Sequence, residues 1–126
     1  MKMILIAEDD KQVQKAYVRL LRGVEVTVCD CAADAYERIK EGLRPDAIIS
    51  DLDMPHMLGS TFCQLVRDLG LKTPFMLVSG NPDVEGLAKD CGADAWAVKG
   101  LDPPSKLIDF VTRHVGVPYF RREGRS

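Results

Sequence analysis

The sequence alternates five times between a short apolar run and a longer segment with the apolar periodicity of a helix. Residues 2–7 are almost continuously apolar, as in a strand buried on both faces, and residues 24–29 are rich in β-branched side chains. Strands that alternate with helices of this length predict a parallel sheet covered by helices on both faces. We therefore expect an α/β, doubly wound fold with five parallel strands and five helices. The predicted strands are 2–7, 24–29, 46–50, 75–78 and 94–98.

Capping residues predict where the helices begin. Short polar side chains and prolines are favoured at the first positions of a helix, because they satisfy or replace its unpaired N–H groups. Glycines then follow most of the helical segments and predict their ends. The expected helix starts are Asp10, Asp30, Gly59, Asn81-Pro82 and Asp102-Pro103.

Polar side chains follow four of the five predicted strands. Glu8 and Asp9 come after the first strand, Asp51 after the third, Ser79 after the fourth and Lys99 after the fifth. In a doubly wound sheet, ligands bind outside the carboxyl ends of the strands, where the strand order reverses. The sequence therefore predicts that these five side chains form one site.

The carboxylates of this site favour a hard cation. Three converging carboxylates are not all ionised without a counter-charge, and Mg²⁺ (or Mn²⁺) prefers oxygen ligands. We expect Asp9 and Asp51 to bind such an ion directly and Glu8 to bind it through water. The backbone carbonyl of Asp53 is a further candidate ligand.

The same residue types suit phosphoryl transfer. A carboxylate is a competent nucleophile toward phosphorus, which makes Asp51 a candidate phosphoacceptor. Phosphoryl transfer needs mainly positioning and neutralisation of the equatorial oxygens. We expect the metal to neutralise one oxygen, the ammonium of Lys99 a second, and the hydroxyl of Ser79 to donate to a third.

Four segments of the chain resemble the receiver domains of two-component response regulators, including the chemotaxis-type single-domain regulators. The resemblance runs from about Met3 to about Val115 and implies a flavodoxin-like fold with strand order 2-1-3-4-5. It predicts a receiver domain at 1–117 and a tail or the start of a linker at 118–126. The first segment, 4–10, contains the acidic pair Glu8-Asp9, and the second, 47–55, is followed by Gly59. The third segment, 76–80, ends in Ser79-Gly80, and the fourth, 92–99, ends in Lys99.

The resemblance implies a phosphorylation switch and no turnover of external substrates. A sensor histidine kinase or a histidine phosphotransfer protein would phosphorylate Asp51, and Ser79 would then move toward the phosphoryl group. Trp96 stands where the family has an aromatic switch residue; covering the apolar edge of the sheet is the alternative role for this indole. The output face, from Gly80 to about His114, would control an unknown partner protein.

Two departures keep other functions open. The family's lysine is normally followed by a proline with a cis peptide bond, whereas Gly100 follows Lys99, so we expect a trans bond or a loop that places Lys99 differently. This favours, as an alternative, a pseudo-receiver that acts as an interaction module without phosphorylation. Asp51 and Asp53 also resemble the Asp-x-Asp motif of haloacid-dehalogenase-type phosphatases, but that motif belongs on a first strand and would leave Glu8 and Asp9 unexplained.

Charge and composition limit the remaining classes of function and the expected compartment. The net charge is −2, and no helix-turn-helix sequence or basic stripe is visible, so we expect no direct DNA binding. No apolar run predicts a signal peptide or a membrane span, which makes the cytoplasm the expected compartment.

The four cysteines are expected to be free thiols. The arginine-rich end, with Arg121, Arg122 and Arg125, is expected to be a solvated terminus. Homodimerisation through the last helices stays open.

Overall fold

A computed structural model describes residues 2–119, in which five strands and five helices alternate along the chain. The sheet is parallel throughout, with the order β2-β1-β3-β4-β5, which confirms the expected fold class. The strands are β1 (Met3–Ala7), β2 (Glu25–Cys29), β3 (Ala47–Asp51), β4 (Phe75–Ser79) and β5 (Ala95–Val98). The helices are α1 (Lys11–Leu20), α2 (Ala32–Lys40), α3 (Gly59–Asp68), α4 (Val84–Cys91) and α5 (Pro104–His114).

Two apolar cores lie on opposite faces of the sheet. One packs α2, α3 and α4 against side chains such as Leu5, Ile48 and Leu77, and the other packs α1 and α5 against side chains such as Ile4 and Ile49. Every residue of β1, β3 and β4 is buried, which is why these strands read as apolar runs up to the polar residues that end β3 and β4. The three central strands form the rigid base from which the polar side chains of the site project.

Two aspartates close the amino-terminal edge of the sheet in the same way. The side chain of Asp46 accepts a hydrogen bond from the Met3 N–H at 2.8 Å, and its own N–H donates to the Met3 carbonyl at 2.9 Å. Asp94 makes the corresponding pair of bonds with Phe75, both at 2.9 Å. These bonds fix the start of β3 against β1 and the start of β5 against β4.

Several helix starts differ from the prediction. Asp10 caps α1 as expected, but Cys31 rather than Asp30 caps α2, because the Asp30 carboxylate is engaged by Lys11 and Gln14 of α1. Asn81-Pro82 does not begin α4. The Asn81 side chain accepts from the Asp83 N–H at 2.9 Å and forms a turn before the helix, whose N-cap is Asp83.

The start of α5 also differs. The N-cap is Pro103, and Asp102 does not cap the helix. The Asp102 carboxylate instead accepts a hydrogen bond from the Val98 N–H at 2.7 Å, across the loop that follows β5. A side chain expected to begin a helix therefore closes the loop that carries Lys99.

After α5 the chain returns to the amino-terminal edge of the sheet. The Tyr119 N–H donates to the Arg22 carbonyl at 2.7 Å, and Lys2, Val115 and Gly116 line one shallow cavity with Gly23 and Val24. The arginines predicted to form a solvated terminus lie outside the described residues. Within residues 2–119 no helix has the length and hydropathy needed to cross a bilayer, and the cysteines at positions 29, 31, 63 and 91 are free.

Candidate functional site

The carboxyl edge of the sheet brings together four of the predicted site residues. Glu8 and Asp9 directly follow β1, Asp51 is the last residue of β3, and Lys99 directly follows β5. The Lys99 Nζ lies 3.0 Å from Asp51 Oδ1 and 3.2 Å from Glu8 Oε1. One ammonium therefore bridges carboxylates from two adjacent strands.

Three carboxylates of this edge are close enough to share one cation. Glu8, Asp9 and Asp51 each offer an oxygen, and these atoms lie within 4.8 Å of one another. Glu8 and Asp51 are buried and Asp9 is exposed, so the cluster opens to solvent on the side of Asp9. Carboxylate oxygens of this number and spacing fit a hard divalent cation that keeps part of its water shell.

Burial and charge set the protonation of these groups. Burial raises the pKa of Asp51; the hydrogen bond from Lys99 and its charge oppose that rise, and the negative charges of Asp53 and Asp9 add to it. Burial likewise raises the pKa of Glu8, against a hydrogen bond from the Asp10 N–H. Burial acts to lower the pKa of Lys99, but its bonds to Asp51 and Glu8 outweigh burial and raise it. Burial thus disfavours the ionised form of both carboxyl groups, and the ammonium of Lys99 opposes this effect.

Ser79 lies at the same edge, but its hydroxyl does not point to Asp51. Its Oγ donates to Asp53 Oδ2 at 2.8 Å and accepts from the Asn81 N–H at 3.0 Å. The Ser79 side chain is fully buried. Sequence reasoning placed Ser79 and Asp53 at this edge but missed their contact, since no spacing rule relates side chains 26 residues apart.

Lys99 reaches the cluster without a proline after it. No cis peptide bond occurs within residues 2–119, and Gly100 takes a left-handed conformation with φ of 82°. The Lys99 N–H donates to the Ser79 carbonyl at 2.8 Å, and Asp102 accepts from Val98 on the other side of the loop. The Gly100 departure therefore leaves the ammonium beside Asp51.

Trp96 lies on β5 between two helices and two cations. The Lys89 Nζ of α4 lies 5.4 Å from the centre of the indole ring, and the Lys106 Nζ of α5 lies 5.3 Å from it. Each lysine also pairs with an acid of its own segment, Glu85 or Asp102. The indole is half-buried and packs against the core that includes α4.

Gly59 sets how closely α3 approaches Asp51. A Cβ added at Gly59 would lie 2.1 Å from the Asp51 carbonyl oxygen and 2.9 Å from Ser50 Oγ. The first atom is backbone at the end of a central strand, so it does not yield without moving the strand or the helix. The absence of a side chain at position 59 therefore lets α3 begin directly behind the site.

Gly59→Ala is expected to lower the free energy of unfolding by about 3 kcal/mol or more, because the added methyl group overlaps backbone. Denaturant unfolding measures this change. The matched control is Gly86→Ala in α4, where an added Cβ meets nothing within 4 Å. Alanine should raise the helix propensity there and stabilise the chain by about 0.5–1 kcal/mol. A loss below about 1 kcal/mol at Gly59 would contradict the steric account.

Comparison with known proteins gives a consistent family. The family model described as "Response regulator receiver domain" matches residues 4–111. Response regulator MprA of Mycobacterium ulcerans (strain Agy99) is 30% identical over 112 residues, which are 87% of this chain and 47% of that protein. MprA of Mycobacterium sp. (strain KMS) is 29% identical over the same shares. The chain thus spans about half the length of these curated relatives.

Solved structures give the same result. Chemotaxis protein CheY4 of Vibrio cholerae superposes with a TM-score of 0.76 at 27% identity, over 90% of this chain and 98% of that one. A putative response regulator from Chloroflexus aurantiacus J-10-fl superposes with a TM-score of 0.79 at 28% identity, over 89% and 95%. The flavodoxin-like order of strands, the acidic cluster with its lysine and the match across residues 4–111 agree, and the chain belongs to the response regulator receiver domain family.

Proposed function

We propose that Asp51 accepts a phosphoryl group and that this makes the chain a signalling switch of a two-component phosphorelay. The observation that carries the proposal is the position of the Asp51 carboxylate, which lies 3.0 Å from Lys99 Nζ and within the same cluster as Glu8 and Asp9. Of the three carboxylates, Asp51 is the one that ends the central strand β3 and contacts the ammonium of Lys99 at the shorter distance.

The proposed step is a transfer from a phosphohistidine. An Asp51 Oδ attacks phosphorus, and the P–N bond to the donor imidazole breaks. The electron pair of that bond stays on the imidazole nitrogen, which takes up a proton. Lys99 neutralises a phosphoryl oxygen as the bond to Asp51 forms, because its ammonium already contacts the attacking carboxylate.

The charge of the site favours a cofactor. Glu8, Asp9 and Asp51 together would repel an incoming phosphoryl group, and the ammonium of Lys99 compensates only one negative charge. Mg²⁺ or Mn²⁺, when bound, supplies positive charge to the phosphoryl oxygens. We propose Asp9 and Asp51 as direct ligands, Glu8 as a ligand through water, and the Asp53 carbonyl as a fourth protein contact.

The donor and the output are proposed from family membership. The donor would be a sensor histidine kinase or a histidine phosphotransfer protein, in the cytoplasm. The output would pass through the face formed by α4, β5 and α5, on which Trp96 contacts lysines from both helices. Movement of Trp96 on phosphorylation would alter both contacts and so change the surface offered to a partner protein.

We expect the chain to gain the mass of one phosphoryl group when incubated with Mg²⁺ and a small phosphodonor such as phosphoramidate. Intact mass spectrometry measures the gain. In excess EDTA the gain should fall by at least tenfold, because the uncompensated carboxylates repel the donor. No gain with Mg²⁺ at any pH between 6 and 8 would overturn the proposal and favour the pseudo-receiver.

The phosphatase alternative predicts a different result. A haloacid-dehalogenase-type enzyme would release phosphate from a small phosphate ester in many turnovers. Its second aspartate, Asp53, would have to act as the general acid or base, but in this structure the Asp53 carboxylate accepts the Ser79 hydroxyl. We expect no release above the uncatalysed rate with p-nitrophenyl phosphate.

A further inference from the structure

The hydroxyl of Ser79 is already committed to a partner other than Asp51. A serine hydroxyl has one proton to donate, and here it goes to Asp53 Oδ2 at 2.8 Å. The Oγ also accepts the Asn81 N–H at 3.0 Å. A phosphoryl oxygen on Asp51 must therefore compete with the Asp53 carboxylate for the hydrogen bond that the Ser79 hydroxyl donates.

The backbone of Ser79 leaves little room for other adjustments. Ser79 is fully buried and is the last residue of β4, paired with Val98 of β5. Its carbonyl accepts the Lys99 N–H at 2.8 Å. The hydroxyl is thus redirected mainly by rotation of the side chain. Asp53, by contrast, is exposed, and water can solvate its carboxylate once the hydrogen bond is broken.

We propose that Asp53 is a positioning residue that holds the Ser79 hydroxyl away from Asp51 until a phosphoryl group competes for it. This inference rests on the proposed function and adds to it the free energy needed to break the hydrogen bond between Ser79 and Asp53. A hydrogen bond to a carboxylate is stronger than one to a neutral oxygen, so the unphosphorylated arrangement is favoured. The negative charge of Asp53 also reaches Asp51, so the variants must separate the hydrogen bond from the charge.

Two substitutions make this separation. Asp53→Asn removes the charge but keeps an oxygen that accepts from Ser79, whereas Asp53→Ala removes both. The affinity for beryllofluoride, a phosphoryl mimic, is measured at saturating Mg²⁺ from the ¹⁹F NMR signal of the bound fluoride. Each variant is also prepared with Ser79→Ala, which has no hydroxyl to hold.

With Ser79 present, Asp53→Ala should bind beryllofluoride about fivefold more tightly than Asp53→Asn, the ratio for one ordinary hydrogen bond. With Ser79→Ala the two variants should bind equally, because the remaining charge effect is common to both. The midpoint of thermal unfolding should not follow this pattern, since loss of a structural contact would act in both backgrounds.

Two results would overturn the inference. Equal beryllofluoride affinities of Asp53→Asn and Asp53→Ala with Ser79 present would show that the hydrogen bond from Ser79 does not oppose binding. A fivefold difference that persists with Ser79→Ala would show that the difference does not depend on the Ser79 hydroxyl. In either case mass gain of the unaltered chain with phosphoramidate leaves the proposed function intact. If the unaltered chain neither gains this mass nor binds beryllofluoride, the proposed function and the inference both fail.

Discussion

Asp51→Asn is expected to abolish phosphoryl incorporation in the presence of Mg²⁺. In the absence of Mg²⁺, the same variant is expected to be more stable than the unaltered chain. The amide has nearly the shape of the carboxylate but is not a nucleophile toward phosphorus, so the mass gain should fall below detection. Loss of incorporation with higher stability separates a chemical effect from unfolding. Few substitutions of a buried residue are expected to stabilise a chain, which makes the combination diagnostic.

The stability gain follows from the raised pKa of Asp51. A carboxyl group whose pKa is higher in the folded chain than in the unfolded chain opposes folding when it is ionised. At pH 7 the Asp51 charge therefore costs stability, and the neutral amide removes that cost. As the pH falls through the raised pKa, Asp51 becomes protonated in the folded chain and the advantage of the variant should shrink.

The measurements are intact mass with phosphoramidate and thermal unfolding in EDTA at pH 7 and pH 5. We expect a rise in midpoint of a few degrees at pH 7, which corresponds to about 1 kcal/mol in a domain of this size. The control is Asp90→Asn on the exposed surface of α4, which makes the same chemical change away from the cluster and should alter neither result. Incorporation into Asp51→Asn at the normal rate would mean that another residue is the phosphoacceptor.

Lys99→Met should lower the rate of phosphoryl incorporation by about 10²–10³-fold, the range for losing one positioned donor to a reacting oxygen. Methionine keeps most of the volume of the side chain but removes the ammonium that lies within 3.2 Å of both Asp51 and Glu8. Without it, the pKa values of both carboxyl groups should rise further. In EDTA the variant should be less stable than the unaltered chain at pH 7 and should recover as the pH falls and the carboxylates become protonated.

Lys106→Met provides a matched control. The side chains of Lys99 and Lys106 have nearly the same exposure, 35% and 37%, and each pairs with carboxylate oxygens. Lys106 forms one ion pair with Asp102 at 3.3 Å and contacts the Trp96 ring, both near the surface, so its loss should change stability little. The rate of incorporation should be unchanged. A loss below about threefold for Lys99→Met would exclude a direct role of its ammonium.

The fold could be predicted from the sequence because the burial of each strand and helix determines the pattern of its apolar residues. Strands β1, β3 and β4 are covered on both faces, and their continuous apolar runs are visible without any structure. The carboxyl edge then follows from the parallel order alone, so the approach of Glu8, Asp51 and Lys99 could be expected before any distance was known.

The hydrogen-bond partners of short polar side chains did not follow from the sequence. Asp30, Asn81 and Asp102 are all good capping residues, yet each is engaged elsewhere. Helix capping competes with other partners of these side chains: Gln14 from a distant segment for Asp30, and nearby backbone N–H groups for Asn81 and Asp102. A single sequence does not reveal which hydrogen bond forms. The same reason hid the bond between Ser79 and Asp53, on which the proposed control of the switch depends.

The chain returns to the amino-terminal edge of the sheet, where Tyr119 is hydrogen-bonded to Arg22 and Lys2 lies beside Gly23. This return has a consequence for attaching the molecule to a surface. Both described ends emerge on the side opposite Asp51. A tether attached at either end to a sensor chip would therefore leave the acidic cluster facing the flowing solution. Arrival of a phosphodonor protein could then be recorded in real time, without the immobilisation chemistry blocking its approach.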